Sequence, residues 1–262
     1  MDKASFGGVL LAVGGILCGL MIEGGKLGQI MQPTAALIVF GGTLGAVLLQ
    51  FPMPVIFTAI KMMGTVFFEE SHHGIEKAEQ LVKFANKARR DGIVSLDGEL
   101  ASITDPFLKK SLMLAVDGTE PQELRKMMEL ELDNKAEQEE KYAQVFESAG
   151  GFSPTIGIIG AVLGLIQVMQ HLQNIDEVGR GIAVAFVATI YGVAAANLLF
   201  LPSAGKLEIR IREEQIIREM TLEGVISILE GMNPHMLETK LLGFLHESTR
   251  GRQSTLAERP EQ

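Results

Sequence analysis

Four long runs of apolar residues dominate the pattern of the chain, at about 5–22, 33–49, 154–172 and 182–201. None of them contains Asp, Glu, Lys or Arg. A helix rises about 1.5 Å per residue, so about 20 apolar residues are needed to cross roughly 30 Å of hydrocarbon. The pattern therefore predicts an all-α, polytopic membrane protein with four transmembrane helices.

A fifth apolar stretch, at 55–68, is shorter than a span and carries Lys61. A short apolar segment with a charged residue is typical of an amphipathic helix on the membrane surface. The first span runs directly into Glu23 without a clear cleavage site. We therefore expect that span to be retained and not removed as a signal peptide.

Positive charges lie mostly in two segments outside the spans. The two short links between paired spans hold one cation each, Lys26 and Arg180. Residues 52–152 hold twelve Lys and Arg, and the chain from residue 203 holds eight. Because loops rich in Lys and Arg stay on the cytoplasmic side of the membrane, both termini and the middle segment are predicted to be cytoplasmic.

The cytoplasmic segments are expected to be helical. Apolar residues between 75 and 88 recur at three- and four-residue spacing. Asp105 before a proline is typical of a helix start, and Gly92, Gly118 and Gly231 are placed to end helices. The predicted organisation is transmembrane helices 1 and 2 at 1–51, a cytoplasmic helical loop at 52–152, transmembrane helices 3 and 4 at 153–202, and a cytoplasmic tail at 203–262.

Composition narrows the classes of function. The net charge of −9 argues against a nucleic-acid partner. A single cysteine, Cys18, excludes an internal disulfide or a cysteine-based zinc site. The adjacent His72 and His73 would not face the same way on a helix, so they do not predict a metal site. With no phosphate-binding loop and no dinucleotide fingerprint, we expect neither an enzyme nor a cofactor.

Small residues recur on one face of each of the last two spans, and such faces allow close approach of helices. They are Gly157, Gly160, Ala161 and Gly164 in the third span, and Ala185, Thr189, Gly192 and Ala196 in the fourth. Tight packing alone explains most of these positions. The hydroxyls of Thr155, Thr189 and Tyr191 are polar groups at membrane depth and should face protein or water, although a hydroxyl also often bonds a carbonyl of its own helix.

The spans lack the carboxylate that a proton or sodium pathway generally uses. If the chain conducts ions, a partner helix must supply the titrating acid. This chain would then contribute walls, hydroxyls and small-residue faces.

Several motifs, each weak alone, occur in a specific order. Together with the layout of two spans, a long loop, two spans and a tail, they resemble the MotA/PomA family, the larger subunit of the bacterial flagellar stator. The likeness covers about residues 1–245. The motifs are Gly-Gly-Lys-Leu-Gly at 24–28 before Gln32-Pro33, Arg-Arg-Asp-Gly-Ile-Val-Ser-Leu-Asp at 89–97, Ser-Pro at 153–154 with Gly-Ile-Ile-Gly-Ala-Val-Leu-Gly-Leu at 157–165, Thr-Ile-Tyr-Gly at 189–192, Ala-Asn at 196–197, and Pro202.

The resemblance implies a set of partners in the bacterial inner membrane. A MotB-like protein with one span supplies the membrane aspartate that takes up the ion. Five copies of the larger subunit form a ring around two partner helices. Ion flow turns that ring, and its cytoplasmic loop pushes a FliG-like rotor protein.

The resemblance also implies roles for individual residues. Pro154 and Pro202 match the two prolines that the family needs for torque. In the alternative interpretation, Ser153-Pro154 is an ordinary helix start and Pro202 only ends a span. Arg89 matches the loop arginine that engages the rotor, with Arg90 as a possible replacement. Asp97 matches the loop acid, which is commonly Glu in the family.

The ion pathway is expected to involve Ala161, Thr155, Thr189 and Tyr191. Relatives that use sodium carry a threonine at the position of Ala161. Because sodium needs several oxygen ligands, the loss of one should disfavour sodium more than a proton. We therefore expect coupling to protons.

Two other interpretations remain open from the sequence. An ExbB/TolQ-like energiser drives a periplasm-spanning partner, but it has one span before its long cytoplasmic segment where this chain has two. A membrane scaffold that moves no ions is also compatible with small-residue faces and a charged helical loop.

Overall fold

The structure is a computed structural model that describes residues 3–68 and 73–257, so His72 lies outside the described residues. Within these ranges the chain is helical and has no strand. The described residues form two compact units, 3–68 with 140–209 and 73–139 with 210–257. The predicted all-α class is confirmed.

The first unit contains the apolar helices. Its core includes Val39, Val187 and Ala188, with a second cluster around Val47 and Ala149. Its elements are α1 (Lys3–Ile22), α2 (Leu27–Ile30), α3 (Pro33–Gln50), α4 (Met53–Phe68), the last part of α7 (Pro121–Gln170), α8 (Ile175–Ala194), a π-helical segment (Ala195–Phe200) and the start of α9 (Leu201–Leu229).

Three helical stretches within the described residues are long and apolar enough to cross a membrane: α3, α7 and the run from α8 to the end of α9. The first predicted span corresponds to α1, whose apolar part, Gly7–Ile22, is shorter. The fifth apolar stretch forms α4, which buries Ile56 and Ala59 and leaves Phe57 and Ile60 exposed.

Pro154 does not begin a helix, so the interpretation of Ser153-Pro154 as a helix start is wrong. The charged helix that begins at Pro121 continues without a break through Pro154 into the third apolar run, as the 50-residue α7. Proline has no N–H, so the carbonyl of Gly150 loses its usual helical partner. The packing around α7 therefore tolerates a proline that local rules assign to a helix start.

Pro202 does not end a helix either. The helix passes from α8 through the π-helical segment into α9, in which Pro202 is the second residue. The N–H of Leu201 donates to the carbonyl of Ala196, five residues earlier. A π-helical turn before a proline changes the local hydrogen-bond register, and this allows the helix to continue.

The antiparallel helices α7 and α8 meet through their backbones along a seam of glycines. A methyl group on Gly192 would lie 2.6 Å from the carbonyl oxygen of Ser153 and 3.1 Å from Cα of Gly157. A methyl group on Gly164 would lie 2.8 Å from the carbonyl oxygen of Gly181. These distances leave no room for a side chain, so the small residues seen in the sequence are required by the contact.

The second unit packs around a core that includes Leu81, Leu108, Leu124 and Ile226. Its elements are α5 (His73–Asp91), a 3₁₀ turn (Ile93–Glu99), α6 (Pro106–Val116), the first part of α7, most of α9, and α10 (Pro234–Ala257).

The predicted helix ends in this unit are confirmed. Gly92, Gly118 and Gly231 have φ of 82°, 83° and 76° and lie just beyond the ends of α5, α6 and α9. Asp105 caps α6 by accepting hydrogen bonds from the N–H groups of Phe107 and Leu108. In the segments that are not apolar runs, the sequence rules for helix ends therefore give correct predictions.

The seam makes a prediction about Gly192. We expect Gly192→Ala to destabilise the purified full-length protein, because overpacking against backbone costs about 1–3 kcal/mol, more than the ~1 kcal/mol gained in helix propensity. The matched control is Gly151→Ala, since Gly151 lies in α7 with no atom within 4 Å of the added methyl group. Thermal unfolding in detergent measures both variants, and equal stability would contradict the close contact.

The cap of α6 makes a second prediction. Burial alone would raise the pKa of Asp105, but its ion pair with Lys77 and two backbone donors hold that pKa below its ordinary value. Asp105→Ala should cost about 1–2 kcal/mol through loss of the cap, whereas Asp105→Asn keeps the cap and loses only the ion pair.

The same shift fixes the pH dependence. A carboxyl group with a lowered pKa stabilises the folded state above its ordinary pKa of about 4, and this contribution is lost as the pH falls. The stability difference between wild type and Asp105→Asn should therefore shrink on acidification from pH ~7 to pH ~3 in thermal unfolding. A difference that stays constant over this range would show that the ion pair does not stabilise the fold.

Candidate functional site

Ala161 and Thr189 lie on the two helices that form the seam, α7 and α8. A methyl group on Gly157 would lie 3.5 Å from Cα of Thr189, and one on Gly164 would lie 3.1 Å from Cα of Ala185. These contacts fix the antiparallel register: Thr189 lies level with Gly157, and Ala161 lies one turn further along α7, between the levels of Thr189 and Ala185.

Helical phase places both side chains on the same side of the seam. Ala161 follows Gly157 by four residues, and Thr189 follows Ala185 by four. Four residues advance a helix by one turn and about 40°, and in antiparallel helices the two displacements point to the same side. Both residues are half-buried, so they form one flank of the seam with a methyl group and a hydroxyl.

Thr189 is the only member of this pair with a polar side chain. Its hydroxyl donates to the carbonyl oxygen of Ala185 at 3.2 Å. A hydroxyl that donates its hydrogen keeps lone pairs that can accept a hydrogen bond or bind a cation. The Thr189 hydroxyl oxygen can therefore accept a hydrogen bond from a proton donor or a water molecule. Neither Ala161 nor Thr189 can itself ionise.

Thr155 lies apart from this pair. It is exposed, and its hydroxyl donates to the carbonyl oxygen of Phe152 at 2.8 Å. Because it precedes Gly157 by two residues, it lies about 200° around α7 from the contact with α8. The structure therefore does not bring Thr155 to Ala161 and Thr189 within this chain.

Tyr191 also points elsewhere. Its hydroxyl donates to the carbonyl oxygen of Ile30 and accepts from the N–H of Gln32 at 3.3 Å. Its ring lies 6.2 Å from that of Phe40 in α3. Tyr191 thus joins α8 to α3 and to the connection before it, and its hydroxyl already binds backbone groups.

Sequence reasoning missed two buried hydroxyls in the same unit. Thr43 is 2% exposed and Ser153 is fully buried, and neither hydroxyl oxygen has a hydrogen-bond partner among the described residues. A buried hydroxyl without a partner costs about 1–3 kcal/mol. Thr43 could have been found, because it lies on the four-residue repeat of buried positions Ala35, Val39 and Val47 in α3.

The second candidate region is the turn that follows α5. Arg89 and Arg90 occupy the last turn of α5, and Asp97 lies in the 3₁₀ turn; all three are exposed. Among the residues whose side chains are described, 7–64 and 74–245, none forms an ion pair or hydrogen bond with these three charges. They are therefore available to bind another protein.

No group of three or more His, Cys, Asp or Glu within the described part of the chain is placed to hold a metal ion. The described apolar runs at 7–22, 33–49, 154–172 and 182–201 contain no carboxylate. The seam by itself therefore offers hydroxyl and backbone oxygens without a titrating acid.

Two family models together match most of the chain. Residues 6–92 match the N-terminal region of motility protein A, and residues 99–220 match the MotA/TolQ/ExbB proton channel family. The first match corresponds to the two spans and the start of the loop, which is the layout that separates a stator subunit from the ExbB/TolQ-like alternative.

Individual relatives agree with the family models. The chain is 36% identical over 246 residues to motility protein A of Bacillus subtilis (strain 168), covering 94% of this chain and 91% of that protein. It is similar to a chain in the structure of C. jejuni MotAB, with a TM-score of 0.87, 32% identity and coverage of 93% and 96%.

A chain of the flagellar MotAB stator complex from Bacillus subtilis gives a TM-score of 0.85 and 35% identity over 96% of this chain and 99% of that chain. Fold and sequence thus agree over nearly the whole length. The chain belongs to the MotA/TolQ/ExbB proton channel family, as a flagellar stator subunit of the motility protein A type.

Proposed function

We propose that this chain forms a proton channel with a MotB-like single-span partner and couples proton flow to torque on a FliG-like rotor protein. The observation that carries the proposal is the flank of Ala161 and Thr189 on a seam without carboxylates. The partner's membrane aspartate supplies the titrating acid, and Thr189 supplies the oxygen that faces it.

The proposed setting is the inner membrane of a bacterium, with four transmembrane helices and with both termini and the second unit in the cytoplasm. Three long apolar helices and the 20-residue α1 support the number of spans. The distribution of Lys and Arg supports the orientation.

The proposed assembly is a homopentamer around two partner helices, as the resemblance to MotA/PomA proteins implies. The relatives with solved structures are MotAB complexes, which supports a MotB-like partner for this chain. Thr155 is exposed on α7, away from the seam with α8. A role for Thr155 in the pathway would therefore require contacts from other chains of the assembly.

The two prolines are proposed to shape the helices that respond to the ion. Pro154 removes a backbone hydrogen bond inside α7, and Pro202 follows the π-helical segment. Prolines and π-helical turns are places where a helix bends. Both prolines lie within continuous helices, so a bend at either proline changes the angle between the apolar run and the rest of that helix.

The exposed charges of Arg89, Arg90 and Asp97 are proposed to contact the rotor. Exposed ion pairs are worth about 0–1 kcal/mol each. Such contacts can form and break repeatedly, as a moving interface requires, and charge complementarity chooses the partner.

Proton coupling can be tested by swimming in cells that contain this chain, its cognate partner and no other stator. We expect motility to continue when sodium in the medium is replaced by potassium and to stop when a protonophore is added. Motility that requires external sodium and survives the protonophore would show that the coupling ion is sodium.

A conductance measurement on the co-expressed pair separates a channel from a scaffold that moves no ions. Substitution of the partner's membrane aspartate by asparagine is the control, and it should abolish conductance. A pair that conducts no ions in vesicles yet supports swimming would contradict the proposed channel.

Thr189 provides the sharpest test of the seam. Thr189→Val keeps the shape and removes the hydroxyl, and we expect it to lower proton flux by about 5- to 100-fold, since a lost hydrogen-bonding group costs about 1–3 kcal/mol. Thr189→Ser keeps the hydroxyl and should retain most of the flux. Torque and vesicle flux are the measurements.

The matched control is Thr58→Val, which removes a hydroxyl from α4 of the same unit, where it donates to the carbonyl oxygen of Pro54 at 2.8 Å. If Thr58→Val reduces flux as much as Thr189→Val, the loss is not specific to the flank of Ala161 and Thr189. If Thr189→Val has no effect, the hydroxyl does not take part.

A further inference from the structure

The 3₁₀ turn at Ile93–Glu99 has two clearly different faces. A 3₁₀ helix has three residues per turn, so residues three apart lie on the same face. Ile93, Leu96 and Glu99 share the inner face, where Leu96 is fully buried. Val94 and Asp97 share the outer face; both are exposed, and Val94 is 67% exposed.

An ion pair fixes the end of the inner face to α5. Nζ of Lys87 lies 2.5 Å from Oε1 of Glu99, and both side chains are about one-third exposed. The pair brackets the segment from Arg89 to Asp97, because Lys87 precedes the two arginines and Glu99 follows Asp97. It therefore closes the loop that carries the proposed rotor contact.

A local hydrogen bond supports the start of the turn. Gly92 has a φ of 82°, and its carbonyl accepts a hydrogen bond from Oγ of Ser95 at 2.6 Å. These contacts set the path of the backbone out of α5. The end of the turn has local bonds too: the N–H of Leu100 donates to the carbonyl of Asp97 at 3.2 Å, and Oγ of Ser102 donates to the carbonyl of Glu99 at 2.7 Å. The Lys87–Glu99 ion pair adds a side-chain contact from this end to α5.

Charged residues in this segment thus have two kinds of surroundings. Lys87 and Glu99 bind each other within the chain. Arg89, Arg90 and Asp97 bind no side chain among the described residues. The division suggests that the first pair sets the geometry and the other three charges meet a partner.

We propose that Lys87 and Glu99 are a positioning pair that holds Val94 and Asp97 outward beside Arg89 and Arg90, so that these four residues form one contact surface. The surface fits a protein face on which acidic groups oppose the two arginines, an apolar side chain meets Val94, and a basic group opposes Asp97. The inference rests on the proposed function, since it takes the rotor protein to be the partner.

The physical reason is the weakness of a 3₁₀ turn. Its hydrogen bonds have poor geometry, and runs longer than a few residues are uncommon. A change of one residue in register would move Asp97 by about 120° around the axis. Local hydrogen bonds do not by themselves join the far end of a seven-residue turn to α5, and the Lys87–Glu99 pair makes that connection.

Charge reversal tests the pair in motile cells that carry the full stator complex. We expect Lys87→Glu and Glu99→Lys each to reduce torque at least about twofold, the scale expected for a partly exposed ion pair. The double variant, Lys87→Glu with Glu99→Lys, restores the attraction and should recover most of the wild-type torque. The number of fluorescently tagged stator complexes at the motor should be unchanged in all three variants.

The matched control is the Lys110–Glu131 pair, which also has a 2.5 Å separation and joins α6 to α7 in the same unit. Reversing it should leave torque unchanged. The proposal is overturned if the double variant is no better than the worse single variant, because Lys87 or Glu99 would then contact the rotor directly. Equal losses from the control pair, or single variants with wild-type torque, would also overturn it.

Failure of the proposed function gives a different result. If deletion of this chain, or Arg89→Glu in the otherwise native complex, leaves swimming unchanged, the rotor contact itself is wrong. If Arg89→Glu impairs torque while reversal of the Lys87–Glu99 pair does not, the rotor contact stands and the positioning role is wrong.

Discussion

The backbone contact between α7 and α8 is the constraint on which the candidate pathway depends. Lipid tails are as apolar as the side chains, so helices in a membrane gain little from the hydrophobic effect and rely on close van der Waals packing. Gly157 and Gly192 allow the two backbones to meet directly. This contact fixes the register, and the register sets where Ala161 and Thr189 lie along the same side of the seam. A larger residue at the seam would therefore change the geometry of the flank even if it never touched the ion.

The two prolines show how the same unit combines rigid packing with local weakness. Pro154 lies next to the seam, since a methyl group on Gly192 would also lie 3.2 Å from its Cα. Pro202 follows a π-helical segment that already departs from α-helical hydrogen bonding. Both α7 and the run from α8 to α9 thus have one place where the helical backbone hydrogen bonding is weakened. Strain or weakness of this kind is tolerated where the surroundings hold the backbone in place.

Local sequence rules predicted much of the fold and only part of the site. Asp105, Gly92 and Gly118 mark helix ends correctly, because capping and positive φ depend on a few neighbouring residues. Pro154 was misleading as a helix start, because packing within the unit compensates for its missing donor. Pro202 lies in a helix that continues past the end of the apolar run after a π-helical turn.

The sequence alone did not predict which polar side chains of the spans lie close together. The sequence places Thr155, Thr189 and Tyr191 at membrane depth, but their separation depends on which face of each helix meets its neighbour. The phase of α7 against α8 follows from the glycine contacts, and the phase of α8 against α3 from the Tyr191 hydrogen bonds. The spacing of small residues indicates which faces of α7 and α8 meet, but it gives neither the level at which they meet nor the phase of α8 against α3. Thr43 was overlooked because a single hydroxyl in an apolar run often bonds its own helix.

A surface that exerts force on a rotor needs a rigid support within its own protein and only weak contacts with its partner. The second unit provides such a support. In it, Arg218 makes a two-point ion pair with Glu139 at 2.7 and 3.0 Å, and Arg218 is only 8% exposed. Breaking a buried pair is strongly destabilising, so this contact persists while the exposed charges exchange partners. In the proposed rotor contact, Arg89 and Asp97 would stay solvated, and each would contribute at most about 1 kcal/mol. Separating the two surfaces would then take little energy, and the geometry of the turn would matter more than the strength of any single contact.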